Sequence, residues 1–262
     1  MSIEEKYQRE AQASAEIAAL KIRYPDKFYK HHQDGSINSA ARVWPLVFQY
    51  VNPQTIIDVG CGIGTWLYVA QQYGKEITGL DFYPKEEDLL IPPERFIRHN
   101  LSHPIQLTGR FDLAVCLETG EAIPNSASGT LVRSLCGLSD VILFSAAIPN
   151  QGGTFHINEQ WPEFWRSLFA LHGYVPVDCL RERIWNDNGI ESWYRQNIMF
   201  YVSAAKVLES PWSTLAPANP AMFRVIHPSL WEWKHYQWTH RKDVALATKV
   251  LEVYSWLRRK TR

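Results

Sequence analysis

Neither sign of charge dominates this chain: its 262 residues carry 27 Lys and Arg against 27 Asp and Glu. That balance argues against the basic field of a nucleic-acid binder or of a protein held on an anionic membrane. The one local bias, Arg258, Arg259, Lys260 and Arg262, reads as a solvated end. Cysteine is scarce. Cys61, Cys116, Cys136 and Cys179 form no CxxC pair, and three of them sit in apolar runs. Reduced, buried thiols in a cytoplasmic protein are the expectation. No apolar run is long enough to span a bilayer, and residues 2–16 are charged with no apolar segment of the signal-peptide kind, so neither feature is expected. Internal repeats and long linkers are also lacking. His99 and His103 have no third ligand nearby, so no metal site is expected.

What is present is an ordinary globular composition, 46% hydrophobic and 21% charged. Most of the 11 Trp fall after residue 160. Flat, bulky rings are costly to expose, so that half either packs a cap or lines a cavity.

Residues 3–24 have helical composition, ended by Pro25. A polar turn is expected at His31–Ser36, then a helix over 37–51 with Ile37, Ala40, Ala41, Trp44, Val47, Phe48 and Val51 at helical spacing. From Thr55 strands and helices alternate. Strands are expected at 55–59, 76–80, 95–98, 111–117, 140–145, 174–180 and 197–204, with helices at 65–73, 126–137 and 159–171. Gly173 should cap the last of these helices. Such alternation implies an α/β fold of Rossmann-like type: a doubly wound, mostly parallel, seven-stranded sheet with helices on both faces. The tail from 205 to 262 is punctuated by Pro211, Pro217, Pro220 and Pro228, with a final helix expected over 241–257. The organisation expected is an N-terminal helical lid (1–36), a core (37–204) and a C-terminal extension (205–262).

The most informative segment is Asp58-Val59-Gly60-Cys61-Gly62-Ile63-Gly64, between a buried strand and a helix. Open α/β sheets bind ligands at the carboxyl ends of their strands, where glycines allow a sharp turn and a close backbone approach. The spacing is GxGxG, with Thr65 where a dinucleotide site would place a third Gly, and no GK[ST] follows. This disfavours a nicotinamide enzyme, which also lacks its catalytic Tyr-Lys or Cys-His pattern here, and a P-loop. About twenty residues on, the second strand ends at Asp81, whose carboxylate can accept hydrogen bonds from the ribose of an adenosine ligand. Alone, such a loop is equally a tight turn and such an acid a loop cap; in this order they point to an adenosine cofactor.

The segment from Asp58 to Gly64 resembles motif I of class I S-adenosylmethionine-dependent methyltransferases. The resemblance extends over roughly residues 28–204, through Ser39-Ala40-Ala41, Phe111-Asp112-Leu113, Leu117-Glu118, Phe144 to Pro149, Gln151-Gly152-Gly153, His156 to Trp161 and Trp193 to Asn197. These later segments resemble a bacterial subfamily acting on small molecules or glycans. The resemblance implies that Gly60, Cys61 and Gly62 face the methionine part of S-adenosylmethionine, with Gly64 completing the loop and Asp58 supporting it through the amino group. It also implies Asp81 on the ribose, Phe82 flanking the adenine, Asn100 and Leu101 at the adenine edge, and Glu118 near the methionine end. Where the family usually reads Glu-His after the fourth strand, Glu121 is followed by Ala122.

Methyl transfer to a hydroxyl needs a base to remove its proton, whereas nitrogen or carbon may not. The loop from Ala146 to Asn158 is rich in Gly and polar groups and holds His156 on the expected rim. His156 is the candidate base, because histidine takes and releases protons near neutral pH. Asn158 and Glu159 read as an N-cap and first-turn acid. Trp185, Trp193, Tyr194 and Arg195 read as tail packing or as a cap over the acceptor. The expected activity is methyl transfer to a small-molecule acceptor, first a hydroxyl of a sugar or natural product. N- or C-methylation of an aromatic alkaloid-type acceptor, and a non-catalytic cofactor-binding subunit, are the alternatives.

Overall fold

The computed structural model describes residues 28–240. The helices expected over 3–24 and 241–257 lie outside the described residues. Two compact units divide between Val225 and Ile226. The first holds one seven-stranded sheet in the order β3-β2-β1-β4-β5-β7-β6. Its strands are β1 (Thr55–Val59), β2 (Glu76–Asp81), β3 (Phe96–Arg98), β4 (Leu113–Leu117), β5 (Val141–Ser145), β6 (Tyr174–Val177) and β7 (Met199–Ser203). All pairings are parallel except those of β7, which runs antiparallel between β5 and β6. The strand order reverses between β1 and β4, which is where such a sheet opens a crevice at its carboxyl end.

Strand residues alternate between two apolar layers. Ile56, Val115, Phe200 and Val202 join one core with Trp44, Trp66 and Leu67, while Ile57, Cys116, Met199 and Tyr201 join the other with Leu131, Leu135, Trp165 and Phe169. The first layer carries helices α1 (Phe28–Val47) and α2 (Thr65–Gln72); the second carries α3 (Ser128–Leu138) and α4 (Pro162–Ala170). Short helices α5 (Arg181–Ile184) and α6 (Ser192–Asn197) lead into β7. The second unit contributes α7 (Pro228–Thr239), a helix the aromatic, proline-punctuated tail did not announce. All four cysteines are free thiols. Among the described residues no helix is long and apolar enough to cross a membrane.

One expected element is corrected. The polar stretch His31–Ser36 is not a turn but part of α1, which runs unbroken across the boundary drawn at 36/37. Gly35 serves close packing rather than turning: a Cβ there would stand 2.0 Å from Oε1 of Glu191. Ser39 ties the same contact, donating to Gly35 O at 2.7 Å and accepting from Glu191 N at 3.0 Å. Tertiary packing has overridden a local breaker signal.

Candidate active site

The turn after β1 is built from left-handed backbone. Gly60, Gly62 and Gly64 have φ of 89°, 55° and 86°, a region glycine enters without steric penalty. Gly60 also passes close to Thr119, where a Cβ would come within 2.2 Å of Oγ1. The end of β2 braces this turn. Asp81 Oδ2 accepts from Gly62 N at 2.9 Å, and Oδ1 accepts from Phe82 N at 2.6 Å and Tyr83 N at 3.0 Å. Desolvation raises the Asp81 carboxyl overall, although these N–H donors and Arg98 oppose it.

Over this turn lies a cavity of about 290 Å³. Among the predicted site residues, Asp58, Gly60, Cys61, Gly62, Glu118 and His156 line it, whereas Gly64, Asp81, Phe82, Asn100 and Leu101 do not. Gly64 instead opens α2 as its N-cap residue, packed against Ile91. Phe82 is largely exposed and Leu101 buried; Asn100 Oδ1 accepts from Ser102 N at 3.0 Å. Gln33 and Ser36 of α1, Trp66 of α2, and Trp193 and Tyr194 of α6 complete the wall. Trp66 Nε1 donates to Tyr194 Oη at 3.2 Å, and their rings meet edge-on at 5.1 Å. Trp193 and Tyr194 thus line the cavity and also pack into the first core layer, while Trp185 is not among the lining residues.

The opposite rim follows β4 and β5. Glu118 sits at φ 49°, a strained conformation for a residue with a side chain. Its N–H donates to Ser145 Oγ at 3.0 Å, its Oε2 accepts from Gln151 Nε2 at 2.8 Å, and its Oε1 accepts from Asn197 Nδ2 at 3.0 Å. Desolvation nevertheless pushes its carboxyl up to about 7. Glu121, three residues on, is 1% exposed, and among the described residues neither of its carboxyl oxygens has a hydrogen-bond partner. Burial and the charge of Glu118 hold its carboxyl well above the ordinary range, and the nearby backbone of Glu121 and Ala147 opposes this only in part. On β1, burial and the neighbouring Asp81 push Asp58 up to about 8.

His156 lies between Glu159 and Glu121. Its Nδ1 lies 3.1 Å from Glu159 Oε1, and its Nε2 lies 3.8 Å from Glu121 Oε1. Glu159 is not a first-turn acid, since α4 begins at Pro162 behind Trp161. It folds the loop instead, accepting from Asn150 N at 2.7 Å and Gly152 N at 2.5 Å. Asn158 is likewise no helix cap. It is buried, and its Nδ2 donates to Gly120 O at 3.0 Å and Ser128 Oγ at 2.9 Å, tying the β5 loop to the β4 loop. An N-cap signal read locally is satisfied by tertiary partners instead.

The residues that sequence reasoning leaves without a site role are Gln151 and Asn197, each named there only as part of a resemblance, and Glu159, read as a helix-start acid. No spacing rule links them, because separate segments of the chain bring them together. Glu121 is visible in the sequence as the acid beside a missing histidine.

Among the described residues, three carboxyl groups and no Lys or Arg line the cavity. Buried acid without a countercharge is costly, and a cationic ligand relieves it. S-adenosylmethionine carries a sulfonium and an ammonium, so the donor set fits it.

A family model described as a methyltransferase domain matches residues 10–169. No curated protein matches the chain. Among solved structures, DesVI of Streptomyces venezuelae is similar at 15% identity and a TM-score of 0.51, covering 68% of this chain and 96% of that one. The sugar N-methyltransferase KedS8 from Streptoalloteichus is similar at 14% identity and a TM-score of 0.53, covering 68% and 92%. A seven-stranded sheet with an antiparallel β7, a glycine turn at its switch point and this family match lead to one conclusion: the chain belongs to the methyltransferase family and is an S-adenosylmethionine-dependent enzyme of class I fold.

Proposed function

We propose that the protein methylates a hydroxyl of a small molecule, a sugar or natural product, with His156 as general base. The observation that carries this reading is the pairing of His156 with Glu159 at the cavity wall. Glu159 already accepts two backbone N–H groups, so as a carboxylate it has only acceptor capacity to offer. Nδ1 of His156 therefore carries the ring proton of the neutral imidazole, and Nε2 keeps its lone pair. A hydroxyl seated near Nε2 can give up its proton as its oxygen attacks. When bound, S-adenosylmethionine supplies the electrophilic methyl group. The chain's own part is to orient both partners and to take the proton.

In the same reading Asp58 and the backbone of Gly60, Cys61, Gly62 and Gly64 receive the methionine end. Asp81 holds the ribose through the acceptor capacity left on Oδ2, which has one backbone donor. Phe82, Asn100 and Leu101 border the adenine, and Glu118 lies by the sulfur. Gln33 and Ser36 border the cavity, which supports a covering role for this end of α1, while residues 1–27 of the expected lid lie outside the described residues; the tail beyond 204 is assigned as an extension of the core. The setting is cytoplasmic biosynthesis.

The test uses purified enzyme and a panel of hydroxylated and amine-bearing sugars and phenols. With the best hydroxyl acceptor, His156→Ala should lower kcat by about 10²–10⁴, the usual worth of a positioned base, at nearly unchanged cofactor affinity. Glu159→Gln should lower kcat in the same direction by a smaller factor. Turnover confined to amines, with His156→Ala near normal, refutes the hydroxyl reading.

A further inference from the structure

The acid-rich rim after β4 has an unfinished member. Glu121 is almost wholly enclosed, yet among the described residues both of its oxygens lack hydrogen-bond partners. His156 Nε2 stands 3.8 Å from Oε1, beyond hydrogen-bond reach, so the burial of this carboxyl is poorly offset and costs stability. Glu118 beside it is strained and held by amide side chains rather than by cations. The other titratable groups facing the pair are Asp58 from β1, with Asp81 behind it, His156 and Glu159 from the loop after β5, and Tyr194 from α6. Among the described residues, Lys and Arg are absent from the lining. Apart from His156, whose Nε2 stands 3.8 Å from Glu121 Oε1, the groups that could bring positive charge to this rim are those of a ligand.

The cofactor before and after reaction differs in one methyl and in one unit of charge. S-adenosylmethionine is a sulfonium; S-adenosylhomocysteine is a neutral thioether. Their ammonium groups are the same, so any acid that serves the amino end treats them alike. We propose that the Glu118–Glu121 pair reads the charge on sulfur, so that the site holds S-adenosylmethionine more tightly than S-adenosylhomocysteine and loosens its grip as the methyl departs. Glu121 is the member whose oxygens have no hydrogen-bond partner among the described residues. A carboxylate near a cation in a poorly solvated cavity interacts far more strongly than in water. The inference rests on the proposed cofactor placement and not on the choice of acceptor atom.

Calorimetry with the two cofactor forms tests it without turnover. Raised carboxyls are neutral at low pH and ionise as pH rises, so the preference should grow with pH. In the wild type the ratio of the S-adenosylhomocysteine Kd to the S-adenosylmethionine Kd should rise about tenfold between pH 6 and pH 8.5. E121Q keeps shape and His156 but removes one acid, and should flatten that rise to about twofold or less. A wild-type ratio that does not change with pH overturns the proposal, even if E121Q proves unstable. A rise that persists intact in E121Q removes the role from Glu121. The placement is checked separately with S-adenosylhomocysteine at pH 6, where Gly62→Val should abolish binding. Retained binding there refutes the placement, whereas lost binding with a flat wild-type ratio refutes the charge reading alone.

Discussion

The two ends of the sheet treat their carboxyl groups in opposite ways. At the amino end, Asp112 Oδ2 accepts from Gln54 N at 2.8 Å, Thr55 N at 2.9 Å and Thr55 Oγ1 at 3.0 Å, joining the starts of β4 and β1. Desolvation pulls that carboxyl up, but these donors outweigh it and hold it below its ordinary value. At the carboxyl end, Asp58, Glu118 and Glu121 are all raised, and Glu121 has no hydrogen-bond partner among the described residues. One end uses its acid to hold strands together. The other buries its acids with less compensation than their burial costs. Local instability of this kind is what a binding site retains and a structural joint eliminates.

The largest expected effect at the site end comes from backbone, not from charge. Gly60 has φ 89°, and a Cβ there would meet Thr119 at 2.2 Å. Gly60→Val should therefore displace the turn or the β4 loop and abolish S-adenosylhomocysteine binding in calorimetry, with native-like circular dichroism. Retained binding would mean that the turn does not form the floor of the cofactor site.

This contrast also explains what was legible in the sequence. The glycine turn is contiguous, and its glycines at 60, 62 and 64 all take up left-handed backbone, so its motif could be read directly. The seven strands were legible because buried runs such as Ile56-Ile57 and Val115-Cys116 sit between turn signals. The opposite rim was not. Glu118, Gln151, His156 and Asn197 meet only through the order of β4, β5 and β7, which no local spacing records. Local rules even misled there: Asn158 and Glu159 have the chemistry of a helix start, yet they tie loops together because better partners lie across the fold. Gly35 failed in the same way, as a packing glycine read as a turn.

A smaller effect, on stability, separates the two ends by the sign of its pH dependence. Asp58 is raised from 3.8 to about 8 and Glu118 from 4.5 to about 7. Between roughly pH 4.5 and pH 8 the folded protein thus keeps protons that the unfolded chain has released. Stability must fall as pH rises through that window. Each tenfold difference in proton affinity between the folded and unfolded chain corresponds to about 1.4 kcal/mol, and solvent screening at the cavity mouth reduces the total. The ligand-free protein should lose about 2–4 kcal/mol between pH 5 and pH 8 in denaturant titrations, and saturating S-adenosylmethionine should shrink the loss. Stability that is flat or rising over this range would show that the site acids are compensated within the chain.

The smallest effect belongs to the amino end and has the opposite sign. Asp112→Asn keeps a carbonyl acceptor for one or two of the three donors but removes the charge that strengthens them. Hydrogen bonds to charged groups are worth about 1.5–3 kcal/mol in protected settings, and this residue is exposed, so a loss of about 1 kcal/mol is expected at neutral pH. A depressed carboxyl contributes stability above its unfolded pKa and loses it as pH falls through the folded one. The gap between wild type and Asp112→Asn should therefore be full at pH 7 and close as acid protonates the wild-type carboxyl. Affinity for S-adenosylmethionine should be unchanged, because Asp112 stands at the far end of β4 from Glu118. A variant that weakened cofactor binding as much as it weakened the fold would erase the distinction between an acid that joins strands and acids held open for a ligand.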